Sequence, residues 1–181
     1  VVSPSKPQKI QANGKDSWFW VPAIANIQVP KITEINAVSG VNISCYLLAE
    51  QEGVTSTTEK VRLARLLCET STTEGLGEQT WSLADITGVF DPQAASGSLG
   101  KKAWELFQDP VNPGYLARRQ GVVAYQDTPE AAVGQFFDIF KVEASQATPG
   151  KTANDASGIY SFTAGVALLD QAFNVAAVAG P

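Results

Sequence analysis

Residues 17–37 read SWFWVPAIANIQVPKITEINA. In an extended chain, successive side chains point to opposite faces. Trp18 and Trp20 therefore go one way, and Phe19 and Val21 go the other. Both faces of this strand require cover, which a one-sided sheet does not supply. Pro22 cannot donate to a sheet ladder, so it ends or bulges the strand over 17–24. The following PKITEINA, residues 30–37, allows one short helical turn with Thr33 as its cap.

Working outward, most of the remaining chain also reads as strands. GVNISCYLL, residues 40–48, alternates Val41, Ile43, Cys45 and Leu47 against more polar neighbours. EQTWSLADITGVFD, residues 78–91, changes parity between Trp81/Leu83 and Ile86/Phe90, which predicts a bulge near Ala84–Asp85. YLARRQGVVAY (115–125), with a possible split at Gly121, GQFFDIFKVEAS (134–145) and GIYSFTAGVALLD (158–170) follow as three further strands. QAFNVAAVAGP closes the chain as another short strand or a tail. Residues 49–79 are rich in Thr, Ser, Gly and Glu around VRLARLL (61–67), and read as a long, partly ordered hairpin or loop. Loops of that length in compact domains usually carry function. The one strong helical pattern is SLGKKAWELFQD, residues 98–109, which places Leu99, Ala103, Trp104, Leu106 and Phe107 on one side. Pro4, Pro7 and Gly14 mark residues 1–15 as an extended arm. The fold class is all-β with one flanking α-helix, a β-sandwich or small barrel. At 181 residues the chain reads as a single domain with room for a core.

Composition removes several functions. There is no histidine, which excludes Ser-His-Asp and Cys-His catalysis and most zinc sites. No GxxxxGK[ST] or GxGxxG phosphate loop occurs. The net charge is −5, yet residues 1–15 carry Lys6, Lys9 and Lys15 and no acid, leaving −8 on the remainder. A body that acidic repels phosphate, so DNA or RNA is not a stable partner. No apolar run reaches the roughly 18 residues of a membrane span. The polar stretch VVSPSKPQKIQANGKDS lacks the apolar core of a secretory signal. Cys45 and Cys68 are too few for a disulfide framework; they read as free, half-buried thiols of a reducing compartment, with one bond as the alternative. No cofactor or metal is indicated.

The order of these stretches resembles the major tail tube proteins of long-tailed, siphovirus-type bacteriophages, especially those of actinobacterial hosts. WFWVPAIANIQVPKITEINA then GVNISCYL resembles the N-terminal half of that family. WSLADITGVFDPQ then GKKAWELFQD resembles its middle, and GQFFDIFKVEAS then YSFTAGVAL its last strands. The resemblance implies a β-sandwich with a flanking helix, a fold also used by the tubes of contractile tails and type VI secretion. It implies no enzymatic activity. It implies a virion subunit, assembled in the host cytoplasm, whose hexameric rings stack into a hollow tube around a tape-measure protein. Tail terminator and distal tail proteins would be further partners, and DNA would pass in transit only.

That resemblance gives the opening strand a cover: another copy of the chain. Trp18, Phe19 and Trp20 are then candidate interface residues, as are Lys6, Lys9 and Lys15 of the arm and Arg118 and Arg119, which would pair with a neighbour's carboxylates. Asp85, Asp138 and Glu143 each sit mid-strand, where an acid must face water, and are candidates for the lumen. Competing readings are a related terminator or secretion-tube protein and a secreted carbohydrate-binding sandwich that stacks sugar on Trp18 and Trp20. A hydrolase using a carboxylate pair drawn from acids such as Asp91 and Asp170 is a third, but no spacing brings two of them together.

Overall fold

The computed structural model describes residues 9, 12, 14–48, 53–122 and 130–180. The elements in chain order are β1 (Asp16–Val21), α1 (Ile32–Ile35), β2 (Val41–Asn42), β3 (Val54–Arg62), β4 (Glu74–Leu83) and β5 (Ile86–Val89). A 3₁₀ turn (Trp104–Phe107) precedes β6 (Val111–Gln120), β7 (Phe136–Ser145), β8 (Thr148–Lys151), β9 (Tyr160–Ala164) and β10 (Val166–Ala176). A five-stranded antiparallel sheet runs β10-β7-β6-β1-β2, a three-stranded sheet runs β5-β9-β8, and β3 pairs with β4 alone. The all-β class is as the sequence indicates.

The five-stranded sheet is covered on both faces, which is why its strands are aromatic on both. Trp20 lies opposite Leu116, and Leu116 opposite Phe140. This row faces the three-stranded sheet and packs with Ile86, Phe107, Phe162 and Ala164. Gly114 is bare because Trp20 crosses it: a Cβ there would stand 2.5 Å from the indole Cζ2. The opposite row, Phe19–Ala117–Ile139, packs with Ile24, Ile35, Ala131 and Ala177.

The second cover of β1 is therefore the chain itself, a correction to the expectation of another copy. Asn36 clamps the 130–135 segment onto α1, donating from Nδ2 to the Ala131 carbonyl (2.8 Å) and accepting the Ala131 N–H at Oδ1 (2.9 Å). Ile32 N–H donates to the Val178 carbonyl (2.9 Å), which ties the C-terminal stretch to the same layer. α1 is capped by Glu34 rather than Thr33. The Glu34 carboxylate accepts the N–H groups of Lys31 and Ala25, both at 3.1 Å, satisfying a donor at the helix start that would otherwise lack a partner.

The expected helix over 98–109 is a second correction: only the four-residue 3₁₀ turn Trp104–Phe107 is helical there. An α-helix needs the Gly100 carbonyl for Trp104 N–H, but that carbonyl accepts Asp91 N–H at 2.8 Å. Gly100 also disfavours a helix there, by about 1 kcal/mol relative to alanine. Aromatic contacts set the segment instead. Trp104 stacks on Phe90 at 4.6 Å and 11°, and Phe107 meets Trp20 edge-on at 4.9 Å.

Two strands also break where continuity was expected. After β2 the chain turns, because Asn42 Oδ1 accepts both the Ser44 N–H (3.1 Å) and the Ser44 hydroxyl (2.6 Å), a local side-chain bond that competes with a ladder. Beyond β2, only the isolated bridge Leu47–Gly88 remains of the strand read over 40–48. The 158–170 stretch divides at Gly165 into β9 and β10, which enter different sheets. The parity change near Ala84–Asp85 is a corner between β4 and β5 rather than a bulge within one strand. The strand read over 115–125 starts earlier, at Val111, and ends at Gln120, before Gly121 at φ 77°.

Candidate assembly surfaces

The β3–β4 hairpin is left largely exposed by the rest of the described chain. Its base is held by Val54 opposite Leu83 and by Trp81, whose ring lies 5.3 Å from that of Phe173. From Thr55 to Arg62 every side chain is exposed. One face carries hydroxyls: Thr55 Oγ1 and Ser82 Oγ are 2.9 Å apart, and Thr57 lies opposite Thr80. The other face mixes Lys60, Arg62, Gln79 and Leu76. Nine residues in β3 at ~3.3 Å each carry the tip about 30 Å from the base. There, Leu63, Leu66 and Leu67 are exposed, Leu67 completely, and Cys68 beside them is exposed and free. The tip is closed by Leu63 N–H on the Thr73 carbonyl (2.9 Å) and by Leu66 N–H on Glu69 Oε2 (2.9 Å). A two-stranded hairpin is marginal in water on its own, and three leucines at its end carry apolar area that water disfavours.

On the three-stranded sheet lies an open apolar groove of about 710 Å³, lined by Val89, Phe90, Leu99, Ile159 and Tyr160, with Cys45 and Tyr46 at one side. Leu99, Ile159 and Tyr160 are substantially exposed. Burial raises the Tyr46 hydroxyl pKa, with the neighbouring Cys45 adding to the effect. The turns around the groove are held by carboxylates. The Ser96 hydroxyl, then the Gly97 N–H, lower the pKa of Glu105, and the Ser157 hydroxyl, then its N–H, lower that of Asp155. Among the described residues, no cluster of three His, Cys, Asp or Glu side chains could hold a metal ion. No helix there is long and apolar enough to cross a membrane.

A phage tail tube protein family model matches residues 3–181. The chain belongs to that family. No curated relative matches it. The family is structural, so the role is that of a tail tube component of the virion, which self-assembles with other tail proteins.

The interface candidates fall differently from expectation. Trp18, Phe19 and Trp20 are each under 5% exposed, so they offer a tail tube neighbour no surface and a sugar no stacking platform. Arg118 pairs internally, with Nη2 2.7 Å from Asp16 Oδ2, and lies over the Trp18 ring. Arg119 is fully buried, and its guanidinium donates to the Glu130 carbonyl (2.8 Å), Gln135 Oε1 (3.1 Å) and Ser17 Oγ (3.2 Å). Burial lowers its pKa. The expected pairing of both arginines with a neighbour's carboxylates gives way to these contacts within the chain. Lys9 and Lys15 lie at the start of the described chain, Lys9 exposed, and Lys6 lies outside the described residues.

The three lumen candidates do not share a face. Asp85 is exposed and its Oδ1 accepts Val166 N–H (3.2 Å), joining two corners of the fold. Asp138 Oδ1 accepts the N–H of Asn174 (2.9 Å) at a bulge of β10, where Asn174 takes a φ of 51°. Glu143 is exposed opposite Pro113 and Ala167. Asp138 and Glu143 are five residues apart on one regular strand, so they stand on opposite faces of it. Sequence reading missed the groove, whose lining comes from four distant segments. It included the tip leucines only as part of a loop.

Proposed function

We propose that this chain builds the tail tube by forming hexameric rings that stack into a hollow conduit, enclosing the tape-measure protein before infection and passing DNA during ejection. The reading takes residues 1–181 as one tail-tube domain with an arm over about 1–15. The observation that carries it is the exposed β3–β4 hairpin, which extends about 30 Å and, beyond Val54, Trp81 and Leu83 at its base, is exposed along most of its length. Stacking is a head-to-tail contact with no closure along the axis, so it propagates as a filament. Light scattering at rising protein concentration tests it. Growth into particles far above 19.2 kDa is expected, and a monomer at every concentration contradicts it.

The arm and the bore follow from charge. The arm carries three lysines and no acid against a body at −8, which suits docking on a neighbouring ring. Deleting residues 1–12 is expected to leave a folded subunit whose tubes form poorly and with altered salt dependence. Normal assembly by that deletion removes the arm from the mechanism. A bore that passes DNA must not hold it, because each phosphate bound by Lys or Arg adds affinity by counterion release, and weak contacts accumulate over many rings. From Val122 to Pro181 the chain has six acids and two bases, which supports an acidic lining. Asp85 and one of Asp138 and Glu143 are the candidates. Assembled tubes are expected not to retain duplex DNA at physiological salt.

A further inference from the structure

We infer that the bulge of β10 opposite Asp138 seats the root of the β3–β4 hairpin: it turns Phe173 against Trp81 and so fixes the direction in which the hairpin leaves the sheet. Asp138, Phe173 and Trp81 are then positioning residues within one chain, acting before any second copy is met. Their consequence for assembly rests on the tube reading above.

The bulge carries a backbone outlier. Ala172 pairs with Ile139 and Val175 with Phe137, so Phe173 and Asn174 both fall opposite Asp138. Asn174 has a φ of 51°, and among the described residues it is the one non-glycine with a positive φ. L-residues avoid that region unless their surroundings hold them in it. Here Asp138 does so, its Oδ1 accepting the Asn174 N–H at 2.9 Å. The extra residue re-aims the side chains around it. In a regular strand, residues 173 and 175 share a face. In β10, Val175 packs in the layer over Phe19 and Ile139. The Phe173 ring lies on the other side, 5.9 Å from Phe140 and 5.3 Å from Trp81.

From Phe173 a run of side chains crosses the sheet. Phe140 of β7 lies 6.1 Å from Trp18 of β1. Arg118 of β6 lies over Trp18 at 5.3 Å. The same guanidinium sits against Gly53, where a Cβ would run into it. Gly53 precedes β3, and Trp81 is near the end of β4. Both strands of the hairpin are thus held at their roots by one run, Arg118–Trp18–Phe140–Phe173–Trp81. Past the root, Thr55–Arg62 are exposed, and a two-stranded hairpin does not hold itself in place. Phe173 is 44% exposed, so its ring serves the hairpin more than the core it borders.

The native cysteines measure the direction. Cys68 lies at the tip and Cys45 on the sandwich, and both are exposed and free. Full-length protein, kept dilute, is spin-labelled at both, and the distance between the labels is read by pulsed electron spin resonance. A narrow distribution is expected for the native chain. Trp81→Ala, Phe173→Ala and Asp138→Ala should each widen it about twofold, as a local loosening does. Trp81→Phe keeps a ring and Asp138→Asn keeps an acceptor oxygen, so both should stay narrow, which a general loss of stability does not explain. The alanine variants should also need about tenfold more protein to form tubes, since a preset direction lowers the ordering cost of association. A broad distribution in the native chain, or one unchanged by Trp81→Ala and Phe173→Ala, overturns the inference and leaves the tube reading standing. Distances that respond as expected in a native chain that forms no tube support the seat and remove the tube reading instead.

Discussion

Phe107→Ala is expected to destabilise the folded subunit by about 3–5 kcal/mol. Phe107 is fully buried, in the middle of the layer between the two sheets. Its ring meets Trp20 edge-on at 4.9 Å and lies 6.2 Å from Phe162. Its carbonyl also accepts Ala147 N–H at 2.8 Å, which holds the backbone in place when the ring is removed. The void would thus be lined by rigid aromatic rings with little room to collapse. The loss is a large share of the roughly 5–15 kcal/mol available to a domain. Leu106 is only half-buried beside it, so Leu106→Ala should cost distinctly less. Urea denaturation of the two variants checks this, with the midpoint for Phe107→Ala falling much further. Equal midpoints would place the 3₁₀ turn wrongly.

Arg118 and Arg119 are expected to behave as opposites despite being neighbours. The Arg118–Asp16 pair is partly open to solvent, at 17% and 34% side-chain exposure, and such pairs contribute at most about 1 kcal/mol. Arg119 is buried, and its guanidinium fork joins β6 to Ser17 of β1 and to the 130–135 segment. That segment is part of the layer covering the second face of the sheet. Arg119→Ala would take a donor from the Glu130 carbonyl and from Gln135 Oε1 and open a cavity, at a cost of about 1–3 kcal/mol. Arg119→Lys should not rescue it, because an ammonium lacks the planar fork. Thermal denaturation separates the cases. A similar, small shift for Arg118→Ala and Arg119→Ala would contradict the buried role.

Sequence legibility followed burial. The strand read over 134–145 is β7, Phe136–Ser145, and its two-faced aromatic pattern was a correct sign that both faces are covered. What the pattern could not say is by what. The cover is α1 and the segments at 22–30, 131–135 and 177–178, which bind through hydrogen bonds between residues as far apart as Asn36 and Ala131. The alternation of Val61, Leu63, Arg65 and Leu67 within the 49–79 region did not mark a buried face, for Val61, Leu63 and Leu67 are all exposed. The described hairpin within it has no buried face along most of its length. The helix misreading has a similar origin. Leu99 fits an apolar helical side by spacing, but it is 76% exposed at the groove, and the Gly100 carbonyl that the helix needs is held by Asp91. VRLARLL was legible only as part of a long hairpin or loop, and the groove depends on Cys45, Phe90, Leu99 and Ile159 meeting in space.

The central claim is that this tail tube chain builds a hollow conduit from rings of itself. Electron microscopy of the purified full chain, carried to side-chain resolution, tests it most directly. The account predicts hexameric rings stacked into an open tube, with inward-facing side chains summing to a negative charge per subunit. Discrete monomers at high concentration, or a bore ringed by Lys and Arg, would contradict it.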